Sequence, residues 1–258
     1  MTNQPNQTHQ LYDLVLFDLD GTLVDSVPDL TTALGLMLDE RELPTPTQQL
    51  VRRIIGEGQR SLVERAIVYA ERQQRGHASS EASGHGDGSI SSSVLDEAVL
   101  SFRRHYSANL CVKTQCYEGV VAVLQALSQH QTLAVATNKP GRWARALCDT
   151  LGLSPYLRWV LGEDDVGARK PDPKILDELC QRASVPTERA LFVGDSRIDW
   201  QAAERAHMDF ALCTYGYADE VTLHTATQRA ANERLRTGSP QRPYICRSLV
   251  ELLPIASQ

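Results

Sequence analysis

Asp18 and Asp20 stand two residues apart, directly after the apolar run Leu14-Val15-Leu16-Phe17. Two carboxylates at that spacing repel each other and resist burial unless a cation pairs with them. The pair suits a magnesium site, a nucleophile, or both. The plain alternative is that acids after a strand only cap the next helix. Three further stretches bear on the choice: Thr137-Asn138, Lys170 before Pro171, and Gly194-Asp195 with Asp199. Acids, a lysine and a hydroxyl/amide pair together suit a phosphate with a magnesium ion. Magnesium prefers hard oxygen ligands and keeps some positions for water and phosphate, and lysine offsets phosphate as a point charge.

Each of these groups must be delivered by an element. Four apolar residues in a row read as a strand buried on both faces, over residues 14–17. Gly21 permits a tight turn. Ser26 and Asp29 have capping-box spacing with Pro28 in the first turn, so a helix begins there. Apolar residues at helical spacing continue to about residue 43, and two more amphipathic segments are separated by Gly56-Glu57-Gly58. Residues 73–93 are rich in Gly, Ser and Ala and read as a flexible insertion. His77 and His85 lie inside it, where a metal site could not be preorganised. Helix resumes at residues 94–109.

From residue 120 the pattern alternates. Strands at 133–136, 159–161, 190–193 and 210–213 are separated by helical segments, which implies a parallel sheet with right-handed crossovers. Residues 222–236 read as a polar helix and 244–246 as a final edge strand. The simplest architecture is an α/β core over residues 12–27 and 111–258, with a helical cap inserted at 28–110 and a disordered tail at 1–11. In open parallel sheets ligands bind at the C-terminal strand ends, and the groups singled out above lie at such ends.

Composition narrows the partners. The chain has 258 residues and a formal net charge of −6, without a basic stripe, which argues against nucleic acid. No apolar run approaches the roughly 20 residues of a membrane helix, and residues 1–10 lack a basic start and an apolar core. A cytoplasmic protein acting on a small phosphorylated metabolite, as monomer or homodimer, is expected. The six cysteines form no C-x-x-C pair and read as small buried thiols.

The motifs Asp18-Leu19-Asp20-Gly21-Thr22, Thr137-Asn138, Lys170-Pro171 and Gly194-Asp195-Ser196-Arg197-Ile198-Asp199 resemble, in order, the four motifs of the haloacid dehalogenase (HAD) superfamily. Within it, Thr137-Asn138-Lys139-Pro140 and Lys170-Pro171-Asp172-Pro173 resemble the phosphoglycolate phosphatase group. The resemblance spans roughly residues 12–218. It implies a Rossmann-like core with an inserted cap, and a Mg²⁺-dependent phosphomonoesterase acting through an aspartyl-phosphate. Asp18 would be the nucleophile and Asp20 the general acid and base. Asp18, the backbone carbonyl of Asp20, and Asp195 would hold Mg²⁺. Thr137 and Asn138 would bind the phosphoryl oxygens, and Lys170 would offset charge on both Asp18 and the phosphate.

Other readings stay open at several positions. Asp199 either supports the metal shell or completes a capping box with Ser196. Asp172 reads as a helix cap before Pro173, and Asp25 as structural. Lys139 either lines the mouth of the site or is solvated. Glu57 is either part of a helix-to-helix turn or a reader of the leaving group. The implied substrate is 2-phosphoglycolate. A sugar phosphate, N-acetylmuramate 6-phosphate or pyrophosphate, a β-phosphoglucomutase-like phosphomutase, and a non-catalytic regulatory protein are the rivals. The chain departs from the group's pattern at residues 73–93, at Glu118 (where proline is usual) and at 219–241.

Overall fold

The structure, a computed structural model, describes residues 11–74, 76, 90–237 and 244–256. It divides into two compact units, residues 1–23 with 116–258 and residues 24–115. The expected cap boundaries at 28 and 110 thus fall inside the second unit.

In chain order, the first unit opens with β1 (Leu14–Phe17), whose four residues are all fully buried. The chain leaves that unit at Leu23 and runs through β2 (Val24–Asp25), α1 (Val27–Asp39), α2 (Gln48–Ile54), α3 (Gln59–Gln74) and α4 (Ser92–Ala108). It returns through β3 (Gln115–Cys116). Then α5 (Val120–Leu127), β4 (Thr132–Ala136), α6 (Gly141–Thr150), β5 (Trp159–Leu161), α7 (Glu163–Val166), α8 (Lys174–Ala183) and β6 (Ala190–Gly194) follow. The chain continues with α9 (Arg197–Arg205), β7 (Asp209–Cys213), α10 (Glu220–Thr237), β8 (Tyr244–Cys246) and α11 (Leu253–Ala256).

Six strands form one sheet in the order β5-β4-β1-β6-β7-β8. All five neighbouring pairs are parallel. The central strand is the most apolar, as a strand covered on both faces must be. Leu14 and Leu16 join Ala134, Phe192 and Phe210 in one cluster with Ile175, Leu176 and Leu179 of α8 and Ala202 and Ala203 of α9. Register matters more for the site than composition does. Phe17 is level with Val135 of β4 and with Val193 of β6. Residues 18, 136 and 194 therefore emerge side by side at the C-terminal edge.

The second unit is helical. Leu30, Ala33, Leu34, Met37 and Leu38 form the buried stripe of α1 that their spacing predicts. The capping box expected at the start of α1 is absent. Helix α1 begins at Val27 with Pro28 in its first turn, but Ser26 makes no side-chain cap bond. Asp29 is 1% exposed and serves a distant loop instead. Its carboxylate accepts from the backbone N–H groups of Val112, Lys113 and Thr114 at 2.8–3.0 Å and from the Thr114 hydroxyl at 2.7 Å. Four donors outcompete one local cap. The expected flexible insertion at 73–93 starts within α3 and ends within α4; His77 and His85 lie outside the described residues, as do residues 1–10 of the expected tail. Among the described residues no helix is long and apolar enough to cross a membrane.

Replacing Asp29 by alanine would leave three loop N–H groups and a buried hydroxyl without their acceptor. Each such loss costs about 1–3 kcal/mol. The variant is expected to lose at least about 3 kcal/mol, read as a lower urea midpoint at unchanged slope. A midpoint equal to the wild type's would show that the 112–114 loop does not depend on Asp29.

Candidate active site

The first unit gathers its acids at the sheet edge. Asp18 follows the last residue of β1, and its N–H donates to the Val193 carbonyl at 2.8 Å, continuing the ladder one step past the strand. Asp195 follows β6. Between Asp20 and Thr22 the chain must turn under Asp195, and Gly21 does so at φ +92°. A Cβ at this position would lie 2.1 Å from Asp195 Oδ2, so both the backbone angle and the space require glycine.

Lys170 holds this cluster together. Its ammonium lies 2.8 Å from Asp18 Oδ1, 2.7 Å from Asp199 Oδ1 and 2.8 Å from the Ala136 carbonyl oxygen. Its side chain is 2% exposed, so those three acceptors replace its water shell. Burial pulls the lysine pKa down, but Asp18 and Asp199 outweigh it and hold the ammonium above the usual lysine range. Burial pushes the Asp18 carboxyl up to about 6; Lys170 pulls it down, and Asp199 and Asp20 push it up again. Burial, then Asp199 and Asp18, raise Asp195 well above the ordinary carboxylate range.

Asp199 completes the capping box expected of it and also pairs with Lys170. With Ser196 it forms the capping box of α9: the Ser196 hydroxyl accepts from the Asp199 N–H at 3.2 Å, and Asp199 Oδ2 accepts from the Ser196 N–H at 3.1 Å. Its other oxygen takes Lys170.

One carboxylate oxygen from each of Asp18, Asp195 and Asp199 lies within 4.8 Å of the other two, and all three residues are buried. Counting Asp20 and Lys139, four carboxylates meet two ammonium groups, so with all four ionised the cluster is two positive charges short of balance. Buried charge of that size is costly without a counterion, and a divalent cation with hard-oxygen preference fits the deficit. Asp18 and Asp195 are the carboxylates suited to hold it, since Asp199 is already engaged by Lys170 and Ser196.

Asp195 is oriented from two sides. The Thr22 hydroxyl donates to its Oδ1 at 3.2 Å, and the Tyr217 N–H donates to its Oδ2 at 2.6 Å. The Tyr215 hydroxyl donates to the Thr22 carbonyl at 2.8 Å and the ring meets Tyr117 edge-on at 4.9 Å. The loop after β7 was not singled out by sequence reasoning. Its one available signal was position, since it follows a strand end at the same sheet edge.

Asn138 stands at the site but points its amide elsewhere than expected. Its Oδ1 accepts from the Lys170 N–H at 2.8 Å, and its Nδ2 donates to the Lys170 carbonyl at 2.9 Å. The side chain clamps the backbone of the lysine rather than presenting itself to a phosphoryl oxygen. Thr137 is 2% exposed and accepts from the Lys139 N–H at 3.2 Å. Lys139 is not solvated: its ammonium lies 2.9 and 2.8 Å from the two oxygens of Asp20. Asp172 accepts from the Lys174 N–H at 2.9 Å but stands one position before the N-cap expected of it: α8 begins at Lys174, and its N-cap is Pro173, which has no side-chain acceptor to offer as a cap. Glu57 belongs to the second unit, where it pairs with Arg65 in the turn before α3. Asp25 pairs with Arg52 at 2.6 Å, a structural contact within the second unit.

The profile of the haloacid dehalogenase-like hydrolases matches residues 15–213. The chain is 40% identical over 215 residues to phosphoglycolate phosphatase 1 of Pseudomonas aeruginosa, covering 83% of this chain and 74% of the relative. It is 38% identical over 208 residues to the phosphoglycolate phosphatase of Rhodospirillum rubrum, covering 80% and 81%. Among solved structures, one from Haemophilus somnus described as a predicted phosphoglycolate phosphatase superposes with a TM-score of 0.79 at 28% identity, over 96% of this chain and 99% of that one.

Asn138→Ala would remove two buried hydrogen bonds and strand both backbone groups of Lys170. The expected cost is about 2–4 kcal/mol, at about 1–2 kcal/mol for each bond and its orphaned partner, read as a drop in Tm. A variant melting with the wild type would mean that Lys170 is held by its ion pairs alone.

Proposed function

The chain belongs to the haloacid dehalogenase-like hydrolase family, and on that premise we propose that it is a phosphatase releasing glycolate from 2-phosphoglycolate. The observation that carries the chemistry is Asp18: a carboxylate at a strand end, against a fully coordinated lysine and two residues from a second acid. The substrate rests on the relatives from Pseudomonas aeruginosa and Rhodospirillum rubrum.

In this reading an Asp18 oxygen attacks phosphorus. The P–O bond to the leaving group breaks, an acyl phosphate forms on Asp18, and one difficult displacement becomes two easier ones. Asp20 gives its proton to the departing alkoxide, which would otherwise be a poor leaving group. The same carboxylate then takes a proton from water as the water oxygen bonds to phosphorus. The Asp18–phosphorus bond breaks and inorganic phosphate leaves. Thr137 and the backbone around Asn138 border the phosphoryl group, while Lys170 offsets charge on the nucleophile. Asn138 acts by positioning Lys170. Asp18, Asp195 and the backbone carbonyl of Asp20 would hold a divalent cation, which we read as Mg²⁺; when bound it screens the repulsion between carboxylate and phosphate. Asp199 supports by fixing Lys170. Glu57, in the second unit, stays a candidate reader of the leaving group.

The test is kcat/KM over 2-phosphoglycolate, β-glucose 1-phosphate, N-acetylmuramate 6-phosphate and pyrophosphate with Mg²⁺. The first should lead by at least about tenfold, worth about 1.4 kcal/mol of transition-state binding. Leadership by another ester would keep the chemistry and replace the substrate. Chelation should abolish turnover and Mg²⁺ restore it. Asp18→Asn should cost at least about 10⁴-fold in kcat, and Asp20→Asn about 10²–10⁴-fold. Residual hydrolysis at wild-type rate in Asp18→Asn would rule out covalent catalysis by this residue.

A further inference from the structure

The first unit buries two lysines at the sheet edge, and their surroundings differ. Lys170 spends its three N–H groups on Asp18, Asp199 and the Ala136 carbonyl. It is committed to the nucleophile. Lys139 instead spans both oxygens of Asp20, with its side chain 5% exposed. Its backbone is held in place from both directions. The Thr137 hydroxyl takes its N–H at 3.2 Å, and the loop before α7 packs so close that a Cβ on Gly162 would lie 2.3 Å from the Lys139 carbonyl oxygen. The Gly141 N–H is fixed to Asp164 at 2.7 Å two residues later. This is a built position for an ammonium group and not a lysine trailing in solvent.

We propose that Lys139 binds the carboxylate of the leaving group, and so makes the site select phosphate esters of short hydroxy acids over esters of neutral alcohols. The inference rests on the reading that Asp20 serves the leaving-group oxygen. Any group touching both oxygens of Asp20 then borders the leaving group as well. In 2-phosphoglycolate a single methylene separates the ester oxygen from the carboxylate, so that carboxylate must sit beside Asp20. As Asp20 gives its proton to the ester oxygen it becomes a second carboxylate beside that of the leaving group, and two such charges repel each other strongly in a dry pocket. An ammonium between them turns the repulsion into two attractions. Lysine suits the task, being a compact charge that can serve two acceptors at once. With Lys139 an anionic leaving group is accommodated; without it, Asp20 rejects such a group.

The experiment compares 2-phosphoglycolate with 2-hydroxyethyl phosphate, which keeps the two-carbon length and replaces the carboxylate by an alcohol. The wild type should favour the carboxylate ester. Lys139→Met and Lys139→Gln should lower kcat/KM for 2-phosphoglycolate at least about 100-fold and shrink its lead over 2-hydroxyethyl phosphate at least about tenfold, while Lys139→Arg restores much of that lead. Equal losses on both esters in both uncharged variants would overturn the inference and leave the phosphoglycolate reading standing, with Lys139 reduced to positioning Asp20. A wild type without preference for the carboxylate ester would overturn both, and it would do so before any variant is made. Circular dichroism of each variant separates a lost preference from a lost fold, and the glutamine variant carries the test should methionine at this position prevent folding.

Discussion

An ammonium group buried with almost no water around it has to be surrounded by acceptors, and Lys170 has found three. Taking the charge out of water is expensive, and only close, well-placed partners offset that cost. Asp18 and Asp199 supply the opposite charges and Ala136 a neutral carbonyl. The acids depend on the lysine in turn. With Asp195 beside them, two carboxylates without Lys170 would be buried like charges. Asp18, Asp199 and Lys170 are thus a single electrostatic object, assembled from the end of β1, from the head of α9 and from the loop before α8. No part of it is stable as a charge by itself.

The neighbouring groups serve that object at one remove. Asn138 fixes the lysine by its backbone, and Ser196 fixes Asp199 by a capping box. Thr22 and Tyr217 hold the two oxygens of Asp195, and Tyr215 holds Thr22. Each contact orients a group whose own partners are charged, which is how a site on loops acquires the rigidity of the strands beneath it. With all four acids ionised, the two negative charges left over suit a divalent cation. Lys139 and Asp20 form a second, separate pair beside the first. The division suits the proposed chemistry, in which Asp18 would attack and Asp20 would serve the leaving group.

Much of this was legible before any coordinates. Apolar runs ending in Asp18, Thr137 and Asp195 are local facts, and so is the alternation that calls for a parallel sheet. Strand ends moved by at most one residue between expectation and structure: residues 133–136 became Thr132–Ala136, and 190–193 became Ala190–Gly194. The alternation of buried strand and amphipathic helix depends on neighbours within one or two turns, and spacing encodes such neighbours well. Where a local rule met a distant competitor it failed. The sequence offers Ser26 and Asp29 as a capping box, yet Asp29 binds residues more than eighty positions away.

By itself, then, the sequence determined the types of the chemical groups, the strands that carry them, and the sheet edge where they emerge. It also carried the four motifs by which the family is identified. Only the tertiary structure decided the rest of the pairing: that Lys139 belongs to Asp20, that Lys170 holds Asp199 as well as the Asp18 expected of it, that Asn138 serves a backbone, and that a loop of tyrosines orients Asp195. The reason is physical. A strand or a helix is chosen by side chains a few residues apart, whereas the partner of a buried charge is chosen by sheet register and loop path. Lys139 and Asp20 are 119 residues apart, and no short-range spacing records that they will meet.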